Sequence, residues 1–183
     1  MNAIRYWLRT TFLRNAILVV CLLTPSYSVP DTEIELNRLR ALFMVRIFRY
    51  VQWPNADKPI FKVGVYNNNK FFKELKEVAE GKDLKGRLVR VVTVETEDSL
   101  DDFSALYIDT DNQVKFKQFI DRLKGKSTLV VTQTEGFALM GSGVNFYLES
   151  GLLRFEISPS SLSDRSLRAS SELLKLARIV GGK

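Results

Sequence analysis

Residues 143–177 read GVNFYLESGLLRFEISPSSLSDRSLRASSELLKLA. Val144, Phe146 and Leu148 alternate with Asn145, Tyr147 and Glu149; after Ser150-Gly151, Leu153, Phe155 and Ile157 alternate with Arg154 and Glu156. Period two on both sides of a short glycine-containing turn specifies a β-hairpin with one apolar and one polar face. Val144, Phe146, Leu148, Leu153, Phe155 and Ile157 are expected in the core, with Asn145, Tyr147, Arg154 and Glu156 on the opposite, wet face. Ser158 then suits a helix cap and Pro159 a first helical position. The closing SSELLKLA has too few apolar and basic residues for a membrane-surface helix, so it is read as packing on the sheet.

Upstream of the hairpin, helix alternates with strand. From Asp31 to Val51, Leu36, Leu39, Leu42 or Phe43, Ile47 and Tyr50 recur at helical spacing, with Arg38, Arg46 and Arg49 outside the stripe. WPNADKP ends this helix, because residues before Pro54 and Pro59 are pushed out of the helical region. Phe61–Tyr66 is a strand, NNN a capping turn, and Phe71–Ala79 a helix. Strands over Leu88–Val94 and Ala105–Ile108, a helix from Gln113 to Leu123 closed by Gly125, and a buried strand within KSTLVVT complete the series. The pattern specifies a single α/β domain: a mostly parallel central sheet flanked by helices, with a C-terminal β-hairpin and a closing helix.

The first residues are a targeting signal in this reading. Arg5, Arg9 and Arg14 precede the short apolar run AILVVCLL and the small-residue segment TPSYS, so residues 1–28 are a signal peptide cleaved after Ser28. The alternative, an uncleaved anchor, conflicts with an apolar run far short of the ~20 residues needed to span. Val20 before Cys21 argues against lipidation. Removing 28 of 183 residues leaves 155, residues 29–183, enough for one domain with a sizeable core. Because the leader carries three Arg and no acid, the net charge falls from +6 to +3, too small and too dispersed for nucleic-acid binding. The only cysteine leaves with the leader. An exported chain without cysteine points to a bacterial periplasm and a fold held by its core.

Two segments together resemble the YfiR family of periplasmic proteins. FMVRIFRYVQWP is similar to that family's first helix and its aromatic turn ending in Trp-Pro. GSGVNFYLESGLLRFEIS followed by SSELLKLA is similar to its glycine-led strand, its basic-Phe-Glu-Ile strand and its closing Ser-Ser, Leu-Leu helix; FKVGVYNNN fits its first strand. The resemblance implies a periplasmic repressor that binds the periplasmic sensor domain of an inner-membrane diguanylate cyclase and lowers cyclic di-GMP synthesis. It implies no cofactor and no stable membrane insertion; a homodimer stays open. The chain departs from the pattern at Ser158, in place of an asparagine, and at Ser166, in place of a glycine that breaks the C-terminal helix. Some relatives carry disulfide-forming cysteines that the mature chain lacks.

The residue inventory restricts catalysis. With no histidine, a Ser-His-Asp triad and His-ligated zinc are impossible, and without a mature cysteine so are thiolate nucleophiles. The expectation is a non-enzyme. Asp109 and Asp111, just past a strand end, have two readings: a Mg²⁺ or Ca²⁺ site with Asn112, or ordinary helix capping. Asn145, Tyr147, Arg154 and Glu156 form either a recognition patch, in which Arg154 offers a forked donor to a carboxylate or phosphate, or a solvated sheet face. Trp53 either anchors a partner or plugs the core under the first helix. The second functional class is a small-solute-binding protein using a crevice near YNNN and DTDN, at the ends of consecutive strands; a metal-dependent hydrolase is the third.

Overall fold

The computed structural model describes residues 32–54 and 58–181; the targeting segment and its cleavage point lie outside them. In chain order the elements are α1 (Thr32–Tyr50), β1 (Val51–Gln52), β2 (Ile60–Tyr66), α2 (Asn69–Ala79), β3 (Asp83–Leu84), β4 (Arg87–Val94), β5 (Ala105–Ile108), α3 (Gln113–Arg122) and β6 (Leu129–Thr132). The hairpin β7 (Val144–Glu149) and β8 (Leu152–Ile157) follows, then α4 (Pro159–Ser163), β9 (Arg168–Ala169), α5 (Ser171–Leu176) and β10 (Arg178–Ile179). This is the α/β alternation read from the sequence. It adds four two-residue strands, β1, β3, β9 and β10, too short to leave a periodic signal.

Eight strands form one twisted sheet in the order β10-β8-β7-β6-β5-β2-β4-β3. Five of its seven pairings are parallel; the exceptions are the β7–β8 hairpin and the short β3–β4 pair. β1 and β9 pair separately, tying the end of α1 to the C-terminal segment. One face of the sheet is covered by α1, α2, α4 and α5 through Met44, Phe48, Phe71, Leu75, Leu162 and Leu173. The other is covered by α3 through Phe116 and Phe119, with Leu100, Phe103 and Phe137 from connecting segments.

Local chemistry sets the boundaries. Asn68 caps α2 by accepting from the Phe71 amide at 2.7 Å, and Asn112 caps α3 by accepting from Lys115 at 3.0 Å. Ser158 caps α4 by accepting from Ser161 at 3.3 Å. The hairpin turn is Ser150-Gly151, both with positive φ, 51° and 78°, the two-residue geometry whose twist matches the strands it joins. Ser166 occupies the position where the resemblance expects glycine, and it adopts that residue's left-handed conformation, φ 57°. Leu167 N–H reaches the Leu162 carbonyl at 2.9 Å and Ser166 N–H that of Ser163 at 2.8 Å. This double closure ends α4 although the residue is serine.

Two burial expectations are corrected. The stripe on α1 is shifted: its buried residues are Asn37, Ala41, Met44, Ile47 and Phe48, whereas Leu39, Leu42 and Tyr50 are exposed. α1 meets the sheet through Ala41, Met44, Ile47 and Phe48, and Leu39 and Leu42 flank the contact instead of filling it. On the hairpin, Leu148 is 52% exposed, because it lies at the tip beyond the cover of α1 and α5, while Asn145 is only 1% and Glu156 8% exposed. Beyond the hairpin, β10 extends the sheet by pairing with Glu156 and Ile157.

Candidate functional site

The displaced leucines of α1 define a groove. Leu39, Leu42, Phe43, Arg46 and Tyr50 form one wall, Leu153, Arg154 and Phe155 of β8 the floor, and Leu173 and Leu176 of α5 the other wall, around about 570 Å³. Phe43 meets Phe155 edge-on with ring centroids 6.4 Å apart. Leu42 is 48% and Leu176 73% exposed, so apolar surface faces water in a contiguous strip, the property of a binding surface rather than of scattered surface leucines. Beside it, β10 pairs with β8 only at Glu156 and Ile157; among the described residues no strand pairs with that edge over Leu152–Phe155. Arg46 and Arg154 stand at the rim. Arg154 lies 3.6 Å from Glu149, whereas Arg46 has no ion pair among the described residues.

The four polar hairpin residues divide. Tyr147 and Arg154 face each other across the ladder and remain accessible. Asn145 and Glu156 also face each other but are enclosed: Thr132 Oγ1 donates to Asn145 Oδ1 at 2.7 Å, and Asn145 Nδ2 donates to Glu156 Oε2 at 3.2 Å. Arg178 of β10 completes the chain, donating to Glu156 Oε1 from Nε at 3.0 Å while its guanidinium lies 4.0 Å from the Tyr147 ring centre. Glu156 in turn raises the Arg178 pKa above its ordinary range. Asn145 and Glu156 therefore hold the sheet together, while Arg154 stays accessible beside Tyr147 on the face opposite Leu153 and Phe155.

Trp53 is half-buried. Its ring lies edge-on to Phe61 at 4.9 Å and to Phe48 at 6.3 Å, and its Nε1 donates to the Ser104 carbonyl at 3.0 Å. Arg87 stacks over Phe61 and donates to Ser104 Oγ at 2.8 Å, closing this end of the sheet.

At the opposite ends of the strands, YNNN and DTDN do meet. Asp109 accepts from Asn68 Nδ2 and, at 2.8 Å, from Gln133 Nε2, while its carbonyl accepts from Asn67 Nδ2 at 3.0 Å. Asp111 is exposed and apart from this network, and Asn112 is engaged as the α3 cap. Among the described residues no three or more His, Cys, Asp or Glu gather as a metal-holding group. Beneath Asp109, Tyr107 is fully buried and stacks on Phe71 at 3.9 Å. Arg40 of α1 comes in from the side, donating to the buried Asn37 Oδ1 at 2.9 Å.

Sequence reasoning missed the groove leucines, Arg178, and the set Asn37, Arg40, Tyr107 and Gln133. Asn37 carried a signal, standing one turn before Ala41 on what proves to be the buried face; Gln133 carried another, two residues beyond Val131 and hence on the same sheet face.

A mostly parallel sheet with an open apolar groove beside its hairpin defines a single small α/β domain, and no helix among the described residues is long and apolar enough to cross a membrane. Residues 37–178 match the family model described as DUF4154, YfiR/HmsC-like, and the chain belongs to that family. Membership points to a periplasmic regulator of diguanylate cyclase signalling rather than to a catalyst. No curated protein matches the chain. Among solved structures it is similar to an ABC domain from Streptococcus pneumoniae in complex with L-Trp, with a TM-score of 0.54 and 10% identity over 76% of this chain and 60% of that one. The chain thus spans about three-fifths of that domain's length, and the likeness is one of fold.

Proposed function

We propose that the chain is a periplasmic repressor that binds the periplasmic sensor domain of an inner-membrane diguanylate cyclase and favours its inactive state. The apolar groove between α1, β8 and α5 carries this reading: it offers exposed leucine and aromatic surface beside a strand edge that is unpaired among the described residues, where a protein segment can add main-chain bonds and bury side chains together. Repression requires tighter binding to the inactive than to the active sensor domain, because equal affinity for both shifts nothing. Arg46 and Arg154 at the rim favour an acidic partner surface and contribute to the encounter rate more than to affinity.

Deleting the gene in a strain that expresses the cyclase raises cyclic di-GMP and biofilm, and wild-type complementation reverses both. Complementation with Leu42→Asp, which places a charge in the groove without entering the core, does not. Unchanged cyclic di-GMP on deletion, or full repression by a correctly folded Leu42→Asp protein, overturns the proposal.

A further inference from the structure

Arg87 is 6% exposed, and its charge has no counter-ion among the described residues. Burial pulls its pKa below the ordinary value, and no carboxylate offsets the shift. Enclosed charges are ordinarily paired, so this one calls for an explanation. A guanidinium carries five N–H donors. Nε gives its hydrogen to the Lys58 carbonyl at 2.9 Å, and Nη2 gives its two to the Ile60 carbonyl and to Ser104 Oγ, each at 2.8 Å. The two on Nη1 have no acceptor among the described residues, and Nη1 is not sealed from solvent. Arg87 opens onto a cavity of about 210 Å³ at the amino ends of β2, β4, β5 and β6, bounded by residues 101–104 and 125–128 together with Lys58 and Trp53. Two more cations line it. Lys126, with a side chain only 29% exposed, pairs with Asp101 at 2.6 Å, and Lys58 pairs with Asp102 at 2.8 Å. Both lysines act electrostatically on Asp101, which places their ammonium groups in one locale. The two carboxylates are more than 70% exposed, and exposed pairs of this kind are weak, so each ammonium keeps hydrogens for an anion in the cavity. Half-exposed Ser127 adds a hydroxyl, and Ser104 Oγ, which accepts from Arg87, still has its own proton to give.

We infer that this cavity is a binding site for a tetrahedral oxoanion, phosphate or sulfate, held by Arg87, Lys58, Lys126 and Ser127. The charges set the sign: two lysines face two carboxylates, and the surplus is the enclosed Arg87. The donors set the shape. A planar carboxylate is gripped in a fork by two guanidinium nitrogens, but Nε and Nη2 are already engaged, which leaves Nη1 alone. The remaining donors come from separate segments, and donors arriving from several directions suit an anion with oxygens in several directions. The cavity shares no lining residue with the apolar groove and does not depend on the repressor reading, so either can fail while the other stands.

The test is isothermal titration of the purified protein with phosphate, sulfate and acetate at constant ionic strength, with thermal unfolding alongside. Phosphate or sulfate binds saturably at one site per chain and raises the melting temperature by about 5–10 °C at ~100 times its dissociation constant; acetate does neither. Saturation by phosphate alone or by sulfate alone identifies the anion. Arg87→Gln abolishes binding. Lys126→Gln, which alters an exposed ion pair and covers the case in which the arginine variant fails to fold, raises the dissociation constant about tenfold. Lys117→Gln, the same loss of charge on the exposed surface of α3, leaves it unchanged. No saturable binding, acetate bound as tightly, or equal affinity in the two lysine variants overturns the inference. So does a melting temperature that climbs without saturating and equally in every variant, which is the general effect of anions excluded from protein surfaces.

Discussion

Glu156 and Arg178 stand opposite each other in the parallel register of β8 and β10, and the guanidinium binds one carboxylate oxygen through two of its nitrogens. The pair is unequal: the glutamate side chain is largely enclosed, whereas that of the arginine is half in water. Removing the arginine strands an enclosed carboxylate with only Asn145, while removing the glutamate returns an arginine to solvent. Arg178→Ala is accordingly expected to cost about 1–3 kcal/mol in a urea melt, and Glu156→Gln, which can still receive Arg178, distinctly less. Equal losses would show that the pair is not the asymmetric anchor of β10.

Phe155 and Arg154 are neighbours with opposite roles. Phe155→Ala removes a ring that is 6% exposed and packed against Phe43, at an expected cost of about 3–5 kcal/mol. Arg154→Glu leaves folding within about 0.5 kcal/mol, since its only ion pair among the described residues is the exposed one with Glu149. It weakens capture of an acidic partner surface in a pull-down. If Arg154→Glu unfolds the protein as far as Phe155→Ala does, the arginine is part of the structural framework.

Tyr107 gives stability an alkaline limit. Its pKa lies above the ordinary value of 10.0 in the folded protein, first through burial and then through Asp109. The unfolded chain therefore releases this proton at lower pH than the folded one. Stability from this residue is complete below about pH 10 and falls above it, by about 1 kcal/mol between pH 10 and 11. Chemical melts of wild type and Tyr107→Phe should diverge only above about pH 10, with the variant losing less.

Ser166 is exposed and left-handed, a conformation that costs a side chain about 1–2 kcal/mol and glycine almost nothing. Ser166→Gly is expected to raise stability by about 0.5–1 kcal/mol, part of the relief being offset by the greater freedom of glycine in the unfolded chain. The melting temperature is the readout, and a fall would mean that the serine side chain contributes something its neighbours do not reveal.

The hairpin, the order of helices and strands and the caps at Asn112 and Ser158 were legible because each depends on neighbours within a few residues. Burial on α1 was not. Leu39, Leu42 and Tyr50 satisfy helical periodicity as well as Met44 and Phe48 do, and only the placement of β8 and α5 decides which half packs. Asn145 and Glu156 mislead for a related reason: alternation marks them as outward, but Thr132 and Arg178 come from strands whose position the local pattern does not encode. The polar group at the strand ends joins residues from α1, the β2–α2 turn, β5 and the end of β6, a convergence that arises only once the parallel strands lie side by side.

The strand edge over Leu152–Phe155 also bears on how the protein survives at high concentration. Amide and carbonyl groups that no strand among the described residues pairs with, beside exposed leucines, invite the same edge of another molecule to continue the sheet. Two copies brought edge to edge in antiparallel fashion about this segment would set Arg154 near its own counterpart, with Glu149 close at each hairpin tip. A like charge at the centre of such a junction works against it. Such a junction brings the two Arg154 charges together and so disfavours fibrous stacking of the protein upon itself, whereas a partner of different charge meets no such repulsion.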